Sequence, residues 1–252
     1  MTLAPGKKIY FISDFHLGAP DFEKSLVREK IIVEFLSKAQ QDAAHIFIVG
    51  DMFDFWFEYK TVVPRGYTRI LGKLAEITDS GIPVTFFVGN HDMWMNDYFE
   101  KEMGIPVYYH PEEFEFNNKK FYIAHGDGLG PGDKGYKFIK KIFRNKLCQW
   151  VFGVLHPSIG IGIANFFSRK SRQATGNADK HFLGEDKEWL IIYSNELLRQ
   201  KHYDYFIYGH RHLPYDCKLN GGSRYINLGD WIIYNSYAVF DGQQMELKYY
   251  KG

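Results

Sequence analysis

Asp, Asn and His residues follow five apolar segments of the chain, each at the point where a strand is predicted to end. Residues 45–49 are short, apolar and rich in β-branched and aromatic side chains, which is typical of a buried strand. This segment runs directly into Gly50-Asp51-Met52-Phe53-Asp54. The other four groups are Asp14-x-His16, Gly89-Asn90-His91-Asp92, His125-Gly126-Asp127 and Gly209-His210-x-His212. The carboxyl ends of strands form the ligand-binding edge of an open α/β sheet, so we expect the five groups to converge.

The spacing within the groups also favours convergence on a metal ion. In Asp-x-His and His-x-His the two side chains are two residues apart, so on an extended segment they point the same way. Glycine precedes Asp51, Asn90 and His210, which lets the chain turn closely around a buried ion. Mixed imidazole, carboxylate and amide ligands suit Mn²⁺, Fe²⁺ or Zn²⁺, and the lack of cysteine ligands argues against a closed structural zinc site.

A single His or Asp after a strand is more simply explained as a core residue or a helix cap. Five such groups at five strand ends are not explained in this way. They predict a dinuclear metal centre in which Asp51 bridges the two ions.

The intervening segments predict the fold class. Apolar residues recur at helical spacing over residues 23–41 and 66–80, and a further helix is expected at about 186–200. Strands are predicted at 8–13, 45–49, 83–88, 113–116, 121–124, 204–208, 215–219, 223–228, 236–240 and 245–250. The first three strands alternate with helices, which indicates a parallel sheet. The later strands, including the C-terminal tail, predict a second and partly antiparallel sheet. The prediction is therefore α/β: a four-layer αββα sandwich.

Length and composition limit the number of domains and the cellular compartments that are compatible with the chain. The chain has 252 residues, enough for one large domain with an insertion, and a net charge of +1. The two cysteines, Cys148 and Cys217, have no CxxC spacing, which favours a reducing compartment. The first residues contain no apolar run of signal-peptide length, so we expect the protein in the cytoplasm.

Residues 129–185 interrupt the alternating pattern, and we expect an inserted helical lid between core segments 1–128 and 186–252. Residues 134–178 carry nine Lys and Arg and no Asp or Glu. The large apolar residues Tyr136, Ile139, Phe143, Leu147, Trp150 and Val151 have the spacing of one helix face. The apolar run that follows is short and broken by proline and glycine, which argues against a membrane span.

A basic amphipathic segment with Trp and Phe predicts contact with an anionic membrane surface. Nucleic acid is an alternative partner for a basic aromatic surface. The breadth of the aliphatic surface favours acyl chains instead, and no nucleic-acid partner is expected. A helical cap packed on the core is a further interpretation, and it is compatible with the membrane one.

In their order along the chain, the five groups resemble the motifs of the calcineurin-like metallophosphoesterases, and the resemblance covers residues 14–212. It implies one metal ion held by Asp14, His16, Asp51 and His212. It implies a second held by Asp51, Asn90, His125 and His210. The two ions would bind the phosphate oxygens and share a water of lowered pKa, and the resulting hydroxide would attack phosphorus in line with the leaving group.

The same resemblance implies two catalytic roles beside the metal ligands. His91 would lie by the scissile group and stabilise charge or protonate the leaving oxygen. Asp54 would orient a histidine ligand. Capping of a loop is the alternative for both Asp54 and Asp92.

Further motifs are similar to those of the UDP-2,3-diacylglucosamine diphosphatases of lipid A synthesis. They are Asp133-x-x-Tyr136, Ser168-Arg169-Lys170-Ser171-Arg172 and Leu228-Gly229-Asp230-Trp231. This resemblance implies two Mn²⁺ ions, a lid that holds two acyl chains, and cleavage to UMP and 2,3-diacylglucosamine 1-phosphate on the cytoplasmic face of the inner membrane. Its implied substrate contacts are Asn90, His91, Asp133, Tyr136, Arg169, Lys170 and Arg172.

One position departs from the narrower family. Its best-known members carry Gly-Asn-Arg-Asp where this chain has His91, and a histidine cannot clamp phosphate bidentately as arginine does. The alternative function is therefore a soluble phosphodiesterase or phosphatase that acts on another nucleotide or lipid-linked diphosphate. A non-catalytic binding scaffold is the third interpretation, and the complete set of expected ligands disfavours it.

Overall fold

The computed structural model describes residues 1–132, 134–164, 166 and 182–252. In chain order its elements are β1 (Lys8–Ile12), α1 (Phe22–Ala39), β2 (Ala43–Val49), α2 (Thr68–Asp79), β3 (Val84–Phe87), α3 (Tyr98–Met103), β4 (Val107–Tyr108), β5 (Glu112–Phe116), β6 (Lys119–Ala124), α4 (Lys134–Phe143), α5 (Lys146–Val154), α6 (157–164), α7 (Trp189–Leu198), β7 (Tyr205–Tyr208), β8 (Tyr215–Lys218), β9 (Arg224–Asn227), β10 (Ser236–Phe240) and β11 (Met245–Tyr249). The predicted helices and strands are present, and α3 and β4 are short additions that the apolar pattern did not reveal.

Two mixed sheets face each other. The first has the order β11-β10-β1-β2-β3-β4, and the second has the order β5-β6-β7-β9-β8. Strands β1 to β4 are parallel because helices connect β1 to β2, β2 to β3 and β3 to β4. In the second sheet β6, β7 and β9 are parallel, while the hairpin partners β5 and β8 run antiparallel at its two edges.

The prediction that the whole tail joins the second sheet is wrong for β10 and β11. Strand β10 instead pairs antiparallel with β1, with Ile9 opposite Phe240. The chain crosses between the sheets after β9, where the Trp231 N–H donates to the Asp14 carbonyl oxygen at 3.1 Å. Apolar alternation marks a strand but does not say which open sheet edge it joins.

The core between the sheets is largely aromatic and aliphatic. Phe11, Phe47 and Phe121 meet there, with ring centroids 5.1 and 5.9 Å from that of Phe11. Helices α1 and α2 pack on the outer face of the first sheet, and α7 packs on the outer face of the second. These layers confirm the predicted αββα sandwich.

Residues 134–154 form two helices, so the prediction of one continuous helix face over Tyr136 to Val151 is wrong. Asn145 stops α4 and starts α5, because its side-chain oxygen accepts the backbone N–H groups of Leu147 and Cys148. Tyr136 points inward while Leu147 and Trp150 are exposed. None of the helices in the described ranges combines the length and apolarity needed to cross a bilayer.

Candidate metal centre

The five groups of polar residues meet at one edge of the two sheets, as their positions after strands predict. The backbone that presents them is not extended, however. Positive φ angles occur at Asp14 (55°), His16 (44°), Asp51 (52°), His210 (67°) and His212 (52°). The expectation that Asp-x-His and His-x-His converge through strand alternation is therefore wrong. Their side chains converge because each residue of the pair adopts the left-handed conformation, which non-glycine residues adopt rarely and mainly at functional sites.

One cluster consists of Asp14, His16, Asp51 and His212. The Nε2 atoms of the two histidines are 3.1 Å apart, and His212 Nε2 lies 3.3 Å from Asp14 Oδ1. His16 Nε2 lies 3.6 Å from Oδ1 of Asp14 and 3.6 Å from Oδ2 of Asp51. Ligand atoms bound about 2.0–2.2 Å from one ion are separated by about 3.0–3.5 Å, so this donor set fits a divalent ion.

The second cluster consists of Asp51, His125 and His210, with Asn90 beside it. His125 Nε2 lies 3.3 Å from Asp51 Oδ2 and 3.3 Å from Asn90 Oδ1. The Asp51 oxygen in this cluster is the same one that faces His16 in the first cluster. A single carboxylate oxygen therefore lies between the two donor sets.

In Asp14 and in Asp51, one carboxylate oxygen accepts hydrogen bonds from the protein and the other does not. Asp14 Oδ2 accepts the His210 N–H at 3.0 Å and the Ser13 hydroxyl. Asp51 Oδ1 accepts the His91 N–H at 2.8 Å. Asp14 Oδ1 and Asp51 Oδ2 are buried and accept no hydrogen bond within the described part of the chain. Buried carboxylate oxygens normally have partners, and a metal ion bound between the two donor sets would supply one here.

Three glycines permit this close approach. A Cβ on Gly50 would strike the His125 ring, one on Gly89 would strike the Asp51 carboxylate, and one on Gly209 would strike Ser13 and Asp14. Gly50 has φ +87°, whereas Gly89 and Gly209 are required by space alone.

Hydrogen bonds behind the donors fix which nitrogen faces the centre. The Nδ1 of His125 lies 2.8 Å from the Val49 carbonyl oxygen, which can only accept, so Nδ1 carries the proton and Nε2 is the donor to an ion. The Nδ1 of His212 lies 3.3 Å from Asp230 Oδ2. Reasoning from the sequence gave Asp230 no role, although the Leu-Gly-Asp-Trp motif contains it.

Asp54 lies behind two histidines. Its Oδ1 is 3.7 Å from Nδ1 of His16 and 3.7 Å from Nδ1 of His91, and the His91 Nδ1 is 3.0 Å from the Asp54 carbonyl oxygen. Asp92 caps two loops, which is the alternative given above for this residue. Its carboxylate accepts the N–H groups of Met52 and Gly89 at 2.8 Å each.

Burial and opposed charges shift the ionisation of this centre. Burial lowers the pKa of both His91 and His210 to about 4, so both rings are neutral at pH 7 and retain a lone pair. Burial alone would raise the pKa of Asp51, but the neighbouring His125 and His91 rings hold it well below the usual range. Burial lowers the pKa of His125, but the adjacent Asp51 carboxylate raises that pKa to about 10. A metal ion that binds Nε2 would therefore displace a proton from it.

Comparison with known proteins decides the family. The profile described as calcineurin-like phosphoesterase matches residues 7–214. The chain belongs to this family. It is 41% identical to the UDP-2,3-diacylglucosamine hydrolase of Porphyromonas gingivalis, over 96% of this chain and 97% of that protein. Proteins of the same description from Aeromonas hydrophila and a Shewanella species are 30% and 29% identical, and the alignments cover 91% and 94% of this chain and 92% and 95% of theirs.

The protein is thus a metal-dependent phosphoesterase, and its cofactors are divalent metal ions. Of its predicted substrate contacts, Asn90, His91 and Tyr136 lie at or beside the metal centre. Asp133, Arg169, Lys170 and Arg172 lie outside the described residues.

One connection between the phosphoesterase core and α4 was not anticipated. Asp127 is buried and accepts the Tyr136 hydroxyl at 2.5 Å, and the Lys140 ammonium binds the same carboxylate and the Asp127 carbonyl oxygen. The Tyr136 and Lys140 side chains share a helix face at i, i+4 spacing, which was the available signal. Asp127 therefore ties α4 to the strand end that carries His125.

Proposed function

We propose that the protein hydrolyses the diphosphate of UDP-2,3-diacylglucosamine to UMP and 2,3-diacylglucosamine 1-phosphate. The observation that carries the proposal is the near full-length similarity to proteins described as UDP-2,3-diacylglucosamine hydrolases. Two donor clusters that share Asp51, beside helices that expose a large apolar surface, support it.

We assign one metal ion to Asp14, His16, Asp51 and His212, and the other to Asp51, Asn90, His125 and His210. Mn²⁺ suits this set of imidazole, carboxylate and amide donors. When bound, the ions supply Lewis-acid stabilisation of the phosphoryl charge and lower the pKa of the attacking water. The burial of Asp51 and of Asp14, together with their single hydrogen-bonded oxygens, preorganises the donors before the substrate arrives.

His91 acts at the leaving side of the reaction in this proposal. Its Nδ1 proton is donated to the Asp54 carbonyl oxygen, so Nε2 is the nitrogen that acts on the substrate. Since burial keeps the ring neutral at pH 7, Nε2 carries a lone pair and must take up a proton from solvent before it can donate one to the leaving oxygen. Asp54 positions the rings of His16 and His91.

The proposal also covers the domain division and the location. Core segments 1–128 and 186–252 surround an inserted lid, 129–185, that accommodates the acyl chains. In the described part of the lid, large apolar side chains face solvent: Phe138 is 65% exposed, Leu147 67%, Trp150 67% and Val154 69%. Exposed large apolar side chains of this kind, beside Lys and Arg, suit the acyl boundary of an anionic bilayer. We therefore place the protein at the cytoplasmic face of the inner membrane.

The test compares two substrates that share the nucleotide. Mn²⁺-loaded protein in detergent micelles should release UMP from UDP-2,3-diacylglucosamine at least a hundredfold faster, in kcat/KM, than from UDP-glucose. Equal rates would overturn the proposal and favour the alternative, a phosphodiesterase of other nucleotide diphosphates, which His91 in place of arginine also favours.

A further inference from the structure

Helix α4 turns its basic face toward the core and apolar residues toward solvent, the reverse of an ordinary surface helix. Lys137, Lys140, Lys141 and Arg144 recur at i, i+3, i+4 and i+7 and line a groove against the core. Phe138, Ile139 and Ile142 of the same helix face solvent instead. A surface helix normally buries its apolar face, so a basic face held against the core needs an anionic occupant or a cluster of acids.

The groove lies between α4 and the ends of three strands. It has a volume of about 480 Å³, within the range of small-molecule sites. Its lining residues include the aromatic residues Phe87, Tyr108 and Tyr109. The predicted ligand His125 also lines it, so the groove adjoins the metal centre.

Acidic residues of the core do not account for the basic face. Asp127 is the one acid among the described residues that line the groove, and it pairs with Lys140. The Lys137 ammonium donates to the Gly130 carbonyl oxygen at 2.5 Å, and the Arg144 guanidinium donates to the Tyr109 carbonyl oxygen at 2.7 Å. Neutral carbonyl groups leave the charge of both cations uncompensated. No carboxylate of the described residues lies within 4.0 Å of the Lys141 ammonium. The groove therefore carries an excess of positive charge.

We propose that this groove, between α4 and residues 108–111, binds the nucleoside monophosphate half of the substrate. The inference rests on the proposed function, because that substrate has two chemically different ends on either side of its diphosphate. A nucleotide needs cations for phosphate and aromatic surface for the base, and the groove offers both. The acyl end needs apolar surface, which lies on the opposite face of α4 and on α5. Helix α4 thus separates the two ends of the substrate, with the metal centre between them.

Charge reversal at two lysines of the same helical region tests the inference. Lys141→Glu changes the groove, whereas Lys146→Glu makes the same change at an exposed lysine of α5 outside it. Calorimetry on the Mn²⁺-loaded full chain would measure binding of UMP, inorganic phosphate and 2,3-diacylglucosamine 1-phosphate. We expect K141E to weaken UMP binding about tenfold or more, and K146E to weaken it less than twofold. Bound metal, measured by plasma mass spectrometry, should be equal in both variants.

Comparison of UMP, inorganic phosphate and the lipid product shows which part of the ligand the groove binds. UMP should bind the unchanged protein at least tenfold more tightly than inorganic phosphate, because the aromatic residues that line the groove would stack on the base. Equal binding of UMP and phosphate, an unaltered UMP affinity in K141E, or a larger loss for the lipid product than for UMP would each overturn the inference. Binding needs no turnover, so the two proposals can fail separately. If the protein binds UMP through Lys141 but does not cleave UDP-2,3-diacylglucosamine, the nucleotide groove is supported and the proposed substrate is contradicted.

Discussion

Replacement of three aspartates by asparagine, one at a time, separates bridging, positioning and capping roles within a single site. Asp51→Asn keeps the acceptor for the His91 N–H but removes the charge of the oxygen that faces both His16 and His125. Loss of a group behind a metal ligand typically costs about 10–100-fold in metal affinity. Loss of a shared ligand should exceed this at both sites, so we expect more than 100-fold, or about 2.7 kcal/mol, for each ion.

The other two variants are its controls. Asp54→Asn removes a charge 3.7 Å from the Nδ1 atoms of His16 and His91, so we expect about 10–100-fold weaker metal binding and reduced kcat. Asp92→Asn leaves one acceptor oxygen for the N–H groups that two oxygens now serve. It should cost about 1.5–3 kcal/mol of stability, a fall in Tm of about 3–12 °C, with metal stoichiometry unchanged.

Calorimetric titration with metal measures the affinity of each of the three variants, and metal content after gel filtration gives the number of bound ions. The expected order of metal affinity is Asp92→Asn near the unchanged protein, then Asp54→Asn, then Asp51→Asn. An Asp51→Asn variant that retains two ions with unaltered affinity would refute the bridging role, whatever its activity.

Three other changes probe the surface, the loop of the last two histidines and a buried imidazole. Trp150→Ser should weaken binding to anionic vesicles about tenfold in a sedimentation assay, since a buried aromatic side chain contributes about 1.5–3 kcal/mol. The same change at the equally exposed Phe22 of α1 should have little effect, and equal losses would contradict the proposed membrane surface. Glu188→Gln removes the charge from a buried pair in which Arg211 donates at 2.8 and 3.0 Å, next to two predicted ligands. It should lower Tm by about 4–8 °C, corresponding to about 2 kcal/mol, and an unshifted Tm would show the pair to be dispensable. Burial lowers the pKa of His45 to about 4, so the unfolded chain takes up its proton first as pH falls. Stability from this group is complete above about pH 6.5 and declines by up to about 3 kcal/mol towards pH 4. His45→Gln should flatten that decline in denaturant unfolding, and an unaltered slope would refute the assignment.

The features that could be predicted from the sequence are those that depend on the spacing of apolar residues and on which residues follow each strand. Strands β1, β2 and β3 are short buried runs, and the polar residues after them could be placed at one edge because parallel strands end together. The fold class and the family follow from this. The sheet joined by β10 and β11 could not be predicted, because pairing with β1 depends on which edge is open after the other strands have assembled.

The orientation of α4 was hidden for a related reason. Its sequence has a basic face and an apolar face, and the usual assumption is that the apolar face is buried. Asp127, which lies 13 residues before Lys140 and outside the helix, holds one lysine of the basic face against the core. A pattern within one helix does not identify a partner outside it, so the inward direction of the basic face could not be predicted from the helix sequence.

The left-handed ligand residues show how the same limit applies at the metal centre. Non-glycine residues in this conformation each cost roughly 1 kcal/mol, so Asp14, His16 and Asp51 together oppose folding by about 3 kcal/mol. Hydrogen bonds between strand-end loops offset part of this cost: the His16 N–H donates to the Asp51 carbonyl oxygen at 3.0 Å, and the Asp14 N–H donates to that of Gly50 at 3.1 Å. These bonds link two segments distant in sequence, so neither segment has a local reason to adopt the conformation alone. The residue types of the centre are therefore readable from the sequence, whereas the direction in which each side chain points is a property of the assembled sheet edge.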